Sequence, residues 1–212
     1  MKPYKKILWV VVFAVAFAAV ESSVVVYLRA LYYPEGFSLP LKLISQHHIQ
    51  VELGRELATM VMLSSVGMLA GLNRWQRFAY FLMAFGVWDI FYYVWLKVMV
   101  DWPSSILDWD ILFLLPVPWI GPVIAPVLVS FFMILGGLAI LREDLRTGVF
   151  RPGGWAWLLS GAASSLILYS FMRDTDATLG SQLPKPYGYE LLVAGVALYC
   201  GSLYLVSRKS RT

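Results

Sequence analysis

The chain has 212 residues, 59% hydrophobic and 14% charged, with a mean hydropathy of +0.69 and a formal net charge of +4. An average soluble domain carries about 25% charged residues, so too little polar surface exists to face water, and a soluble globular protein is excluded. The same values exclude disorder, which needs low hydrophobicity and high charge. A single cysteine, Cys200, excludes a disulfide framework and any CxxC redox or zinc motif.

The composition therefore reads as an all-α, polytopic membrane protein, with one integral membrane domain over residues 1–212. A crossing helix needs roughly 20 mainly apolar residues, and six segments qualify. They run from Ile7 to Tyr33, Val51 to Leu72, Phe78 to Val100, Ile111 to Leu141, Trp155 to Met172 and Tyr189 to Val206. Strand periodicity is absent, which argues against a β-barrel. The expected architecture is a six-helix bundle.

The N-terminus imitates a signal peptide, with three lysines, an apolar run and small residues at Ala16-Phe17-Ala18. Apolar character resumes at Val24-Val25-Val26, so the expectation is an uncleaved first span. With that N-terminus in the cytoplasm, 11 of 17 basic residues fall on the inner side, among them Lys5, Arg74, Arg77, Arg142, Arg146 and Arg151. Lys42 and Arg173 are among the six that do not. This bias sets both termini inside a cell membrane. It also accounts for the net charge without nucleic-acid binding. Gly67 with Gly71, and the run Ser160 to Ser165, are expected to serve close helix packing.

Acidic residues show the opposite bias: only Glu143 and Asp144 of thirteen lie on the inner side. Ionisable groups within hydrocarbon are costly and normally face a partner or a wet cavity. At 1.5 Å per residue, Glu21 lies about 22 Å beyond Lys6, Asp89 about 18 Å beyond Arg77, and Glu56 about 24 Å from Leu72. Three carboxylates on three helices thus reach nearly one depth. On the second span His48, Glu52 and Glu56 form one stripe at four-residue spacing, provided the helix reaches back to His48. Arg55 is placed to pair with Glu52 or to hold an anionic group. On the third span Asp89, Tyr93 and Lys97 form a similar stripe, with Tyr92 beside it.

Imidazole with several carboxylates and no thiolate suits a divalent metal, Zn, Fe, Mn or Mg. The expected metal ligands are Glu21, His48, Glu52, Glu56 and Asp89. The expected catalytic set is Glu52, Glu56, Arg55, Tyr92 and Tyr93, either tyrosine donating a proton. A salt-bridge cluster of Glu52, Arg55 and Glu56, with solvated histidines, explains the same residues without function. The order His-x-x-x-Glu-x-x-x-Glu also departs from the Glu-x-x-His spacing of dinuclear carboxylate bundles. The Glu52-x-x-x-Glu56 pair resembles that of some membrane phosphatases of polyprenyl diphosphates. The Gly/Ser/Arg loop those enzymes need is missing, and their function is not carried over.

The fourth span opens on Asp108-Trp109-Asp110 and then places prolines at 116, 118, 122 and 126. Such a run cannot form a regular helix, so the expectation is either a re-entrant or proline-broken segment covering the outer mouth of the site or an interfacial stretch before a kinked helix. The outer acids Asp101, Asp108, Asp110, Asp174 and Asp176 would draw cations there. The third span carries nine rings between Phe78 and Trp95. These either pack between helices or wall a pocket for a quinone, isoprenoid or acyl chain. The adjacent His47 and His48, the only histidines, cannot supply opposed haem ligands, and no GxSxG, Walker A or Rossmann pattern occurs.

Three functions follow as expectations. The first is a divalent-metal-dependent enzyme acting on a lipid-like substrate at an outward-opening site. The second is a proton- or cation-coupled transporter. The third is a structural subunit, its polar stripe paired with another copy or with a membrane-complex partner.

Overall fold

The computed structural model describes residues 2–35, 46–148, 150–175, 179, 182–183 and 185–209, the side chains of 208 and 209 excepted. Lys42, Asp176 and Arg211 lie outside the described residues. The described chain is helical apart from one β-hairpin. Its long helices are α1 (Pro3–Tyr32), α2 (Gln46–Ala70), α3 (Arg74–Val100), α4 (Ile124–Thr147), α5 (Gly154–Met172) and α6 (Tyr189–Lys209). All six are long and apolar enough to cross a membrane, as a multi-pass membrane protein requires.

The helix ends follow local chemistry. Pro3 opens α1, where its missing N–H costs nothing. Asn73 caps α3 by accepting the amides of Trp75 and Gln76 at 2.9 and 3.0 Å. Gly148, at φ +79°, ends α4 in the left-handed conformation that suits glycine. Helices α2 and α3 begin earlier than the apolar runs suggest, at Gln46 and Arg74. Their polar first turns continue the helix past the apolar stretch, since helical hydrogen bonding does not stop where hydrophobicity does.

The fourth segment corrects the expectation. Residues 111–122 are not the broken start of a helix. Strand β1 (Trp109–Phe113) pairs antiparallel with β2 (Trp119–Pro122), aligning Asp110 with Gly121 and Ile111 with Ile120, and a bulge follows Ile111. The prolines punctuate this unit. Pro116 and Pro118 lie in the connection, Pro122 ends β2, and Pro126 occupies the first turn of α4, whose amides lack helical acceptors anyway. A hairpin needs few residues and accepts proline at its edges, so the run that forbids a helix is satisfied without one.

Helix α3 is the hub, packed on α1, α2 and α4, and α5 pairs mainly with α6. Helix α6 makes a thinner contact with α4, and α5 has no extensive contact with α2 or α4. At the α3–α4 seam a Cβ on Gly86 would stand 2.5 Å from the Ser130 carbonyl oxygen, and one on Gly137 2.7 Å from that of Ala79. Both glycines therefore set the closeness of the two backbones. Gly67 does the same between α2 and α3, where a Cβ would meet the Arg77 carbonyl at 2.7 Å. The molecule thus has a terminus end, joined by Lys6 Nζ donating to the Ala70 carbonyl at 2.8 Å, and a hairpin end, joined by Arg29 and Asp110 at 3.1 Å.

Candidate functional site

The hairpin end holds a buried polar belt. Glu21, Glu52, Glu56 and Asp110 are 7%, 8%, 6% and 4% exposed. Helix α2 does reach back beyond His48, and its buried stripe runs Glu52, Glu56, Thr59, Leu63 and Gly67. Arg55 joins two helices here: it pairs with Glu21 of α1, and its Nη2 lies 2.7 Å from Glu52. Thr59 donates to Glu21 at 3.1 Å. Glu56 turns elsewhere, accepting the Leu114 amide with both oxygens at 2.9 and 3.0 Å. It thereby ties the hairpin connection to α2.

Asp110 sits opposite, on β1. Arg29 donates to it at 3.1 Å and lays its guanidinium over the Trp102 ring, 3.8 Å from the centroid. The other oxygen, Oδ2, is buried without a hydrogen-bond partner among the described residues, with the Tyr93 hydroxyl nearby. Burial pushes the Asp110 carboxyl up to about 6, against the pull of Arg29, the Ile111 amide and Tyr93. Tyr92 stands between these groups, within electrostatic reach of Arg29, Arg55, Asp89 and Asp110.

Asp89 faces a different way. It accepts the buried Ser130 hydroxyl of α4 at 2.8 Å, and both residues line a cavity of about 510 Å³. The cavity runs between α3, α4, α5 and α6. Along α3 it extends from Trp75 to Asp89, roughly 21 Å at 1.5 Å per residue. Phe78, Phe81 and Phe85 form one wall, and Leu112, Phe113 and Trp119 of the hairpin close the far end. Asp89 is the one charged residue among its described lining residues.

The five expected metal ligands therefore do not form one centre. Among the described residues no group of three His, Cys, Asp or Glu is arranged to hold a metal ion. The cause is the partners each has taken. Glu21 and Glu52 share Arg55, Glu56 holds a backbone amide, and Asp89 bonds Ser130 across the α3–α4 seam. His48 is exposed, its Nδ1 2.5 Å from the Tyr32 hydroxyl, away from the acids. Of the expected catalytic set, Arg55 does orient Glu52, with Nε donating at 2.8 Å. Tyr93 is buried near Asp110.

The outer acids are also committed locally. Asp101 pairs with Lys97 at 2.7 Å, Asp108 accepts the Ser104 hydroxyl at 2.7 Å, and Asp174 accepts the Lys185 amide. Of the three, Asp101 alone has a cationic partner among these contacts. The rings of α3 divide: Trp75, Phe78, Phe81 and Phe85 line the cavity, Tyr80 and Trp88 are buried in the core, and Trp95 donates to the Val15 carbonyl at 2.9 Å.

Sequence reasoning missed Arg29 and Ser130 and read Asp110 only as an outer acid drawing cations. Arg29 and Asp110 are complementary charges far apart in sequence, and only the hairpin brings them together. Ser130 gave no signal in an apolar run. No protein-family model matches the chain, and neither does any curated protein or solved structure.

Proposed function

We propose that this is a cell-membrane protein that binds a lipid-like molecule inside its bundle and acts on the polar end of that molecule. The apolar tail lies along the aromatic wall of α3, and the polar end meets Asp89 and Ser130. The observation that carries this reading is a carboxylate in the wall of an otherwise apolar cavity. Its volume falls within the range of roughly 300–1,000 Å³ typical of small-molecule sites. A charge in such surroundings is expensive unless compensated, and Asp89 is placed to give or take a proton at a bound polar group. The basic residues at the terminus end support cytoplasmic termini, with the hairpin facing outward. A divalent metal has no converging ligand set to support it and is not part of this reading.

The test is binding in nanodiscs by tryptophan quenching. Trp75, Trp119 and Trp157 line the cavity, so a brominated single-chain amphiphile should quench saturably. The brominated chain should also be displaced by its unbrominated counterpart. Quenching that rises only linearly with membrane concentration, in wild type and in Trp119→Phe alike, would remove the reading.

A second reading, proton-coupled transport, draws on the charge count of the belt. Five carboxylates, Glu21, Glu52, Glu56, Asp89 and Asp110, face two guanidiniums, Arg29 and Arg55. Such a surplus is held by protons or cations. Pyranine-loaded liposomes would show pH-driven flux that Glu56→Gln abolishes, and tight vesicles would overturn this version.

A further inference from the structure

We infer that the lipid-like ligand carries a positively charged head, making it a long-chain amine or quaternary ammonium amphiphile held by Asp89 and an aromatic cage. The inference rests on the cavity reading above and adds the chemical class of the occupant. Four observations support it.

First, Asp89 is the sole charged residue among the described lining residues, and no Lys or Arg shares that wall. An anionic head would be repelled there. A neutral head would be met by Asp89 only after it takes up a proton, since an uncompensated charge in apolar surroundings is costly, whereas a cationic head pairs with the ionised acid. Second, Asp89 receives its described hydrogen bond from Ser130 and keeps part of its own surface open, whereas Ser130 is fully buried. The acid is thus oriented by a neutral donor and not neutralised by it.

Third, the two guanidiniums of the belt are engaged elsewhere, Arg55 with Glu21 and Glu52, and Arg29 with Asp110 and Trp102. Asp110 lies within electrostatic reach of Asp89 and adds negative charge to its surroundings. Fourth, rings gather beside the acid. Phe85 precedes Asp89 by four residues, one turn back on the same face of α3. Its ring lies 6.5 Å from Phe113, and Phe113 lies 5.7 Å from Trp119, all three in the cavity wall. A carboxylate with several aromatic faces is the combination that recognises ammonium groups.

The test compares dodecylamine, dodecanol and dodecanoate as competitors of the brominated amphiphile, at a pH where the amine is charged. Dodecylamine should compete at least about tenfold better than dodecanol, as a desolvated cation–π and charge contact predicts. Dodecanoate should be the weakest. Asp89→Asn keeps the acceptor for Ser130 and should reduce the amine-over-alcohol preference to less than about threefold. Phe113→Leu should weaken the amine more than the alcohol. Equal competition by amine and alcohol, or a preference that survives Asp89→Asn, would overturn the cationic head and leave the tail cavity standing. Absence of saturable quenching by any of the three would remove the cavity reading and this inference with it.

Discussion

The two ends of the bundle each bury acids, and they resolve the burden differently. At the terminus end Asp144 is buried among neutral donors. Asn73 Nδ2 and Gln76 Nε2 reach one oxygen at 3.0 and 2.8 Å, and the Phe150 amide reaches the other at 3.0 Å. Asp144 is not among the residues lining the cavity, and its carboxylate joins α3, α4 and the chain entering α5. At the hairpin end the acids outnumber the guanidiniums, and one of them, Asp89, faces a void. A saturated buried acid is a joint. Asp89, beside a cavity, is the acid on which the proposed binding rests.

That contrast can be broken by substitution. The largest effect is expected for Arg55→Leu, which strands Glu21 and Glu52 without their shared cation. Breaking a buried ion pair costs about 3–5 kcal/mol, read as a lowered unfolding midpoint. Replacing both acids with glutamine in the same background should restore most of the loss. No restoration would mean that Arg55 acts through packing. Asp144→Ala comes next, leaving three buried donors unpaired at about 1 kcal/mol or more each. Amphiphile quenching by the folded fraction should not change. A shift in affinity would erase the distinction between the two ends.

Gly86→Val tests the seam between them. Its side chain would press on the Ser130 backbone, and overpacking of this kind costs about 1–3 kcal/mol. Because Ser130 orients Asp89, amine competition should weaken along with stability. The smallest effect is a pH dependence. With its folded-state carboxyl near 6, above the ordinary value of about 3.9, Asp110 favours the folded state while protonated. Its contribution is complete below about pH 4 and is lost as pH rises through 6. The unfolding midpoint should fall by a few degrees over that window, and Asp110→Asn should flatten the fall. An unchanged slope in the variant would assign the titration to another group.

Much of the helical frame was legible because burial in an apolar setting demands long uninterrupted hydrophobic runs. The spans that begin at Phe78 and Trp155 needed only their ends adjusted. The hairpin was not legible. Prolines at 116, 118, 122 and 126 announced irregular backbone, but the strand pairing of Asp110 with Gly121 depends on contacts that leave no period in four or five residues. The same limit governed the site. Depth along a helix follows from counting, so Glu21, Glu56 and Asp89 were placed near one level. Direction around the axis depends on neighbours, and Ser130 drew Asp89 toward α4 while Arg55 drew Glu21 toward α2. His48 lay on the right stripe, yet too near the helix start to join the acids. No spacing rule could have paired Arg29 with Asp110, 81 residues away.

Helix α5 leans on α6 and leaves its flanks toward α2 and α4 largely uncovered. In a bilayer, those gaps would be filled by acyl chains, so the enclosure around Asp89 would be completed by the host membrane. Occupancy should then track the length and saturation of surrounding lipids, and a short-chain detergent would strip away part of the binding site without altering a single residue.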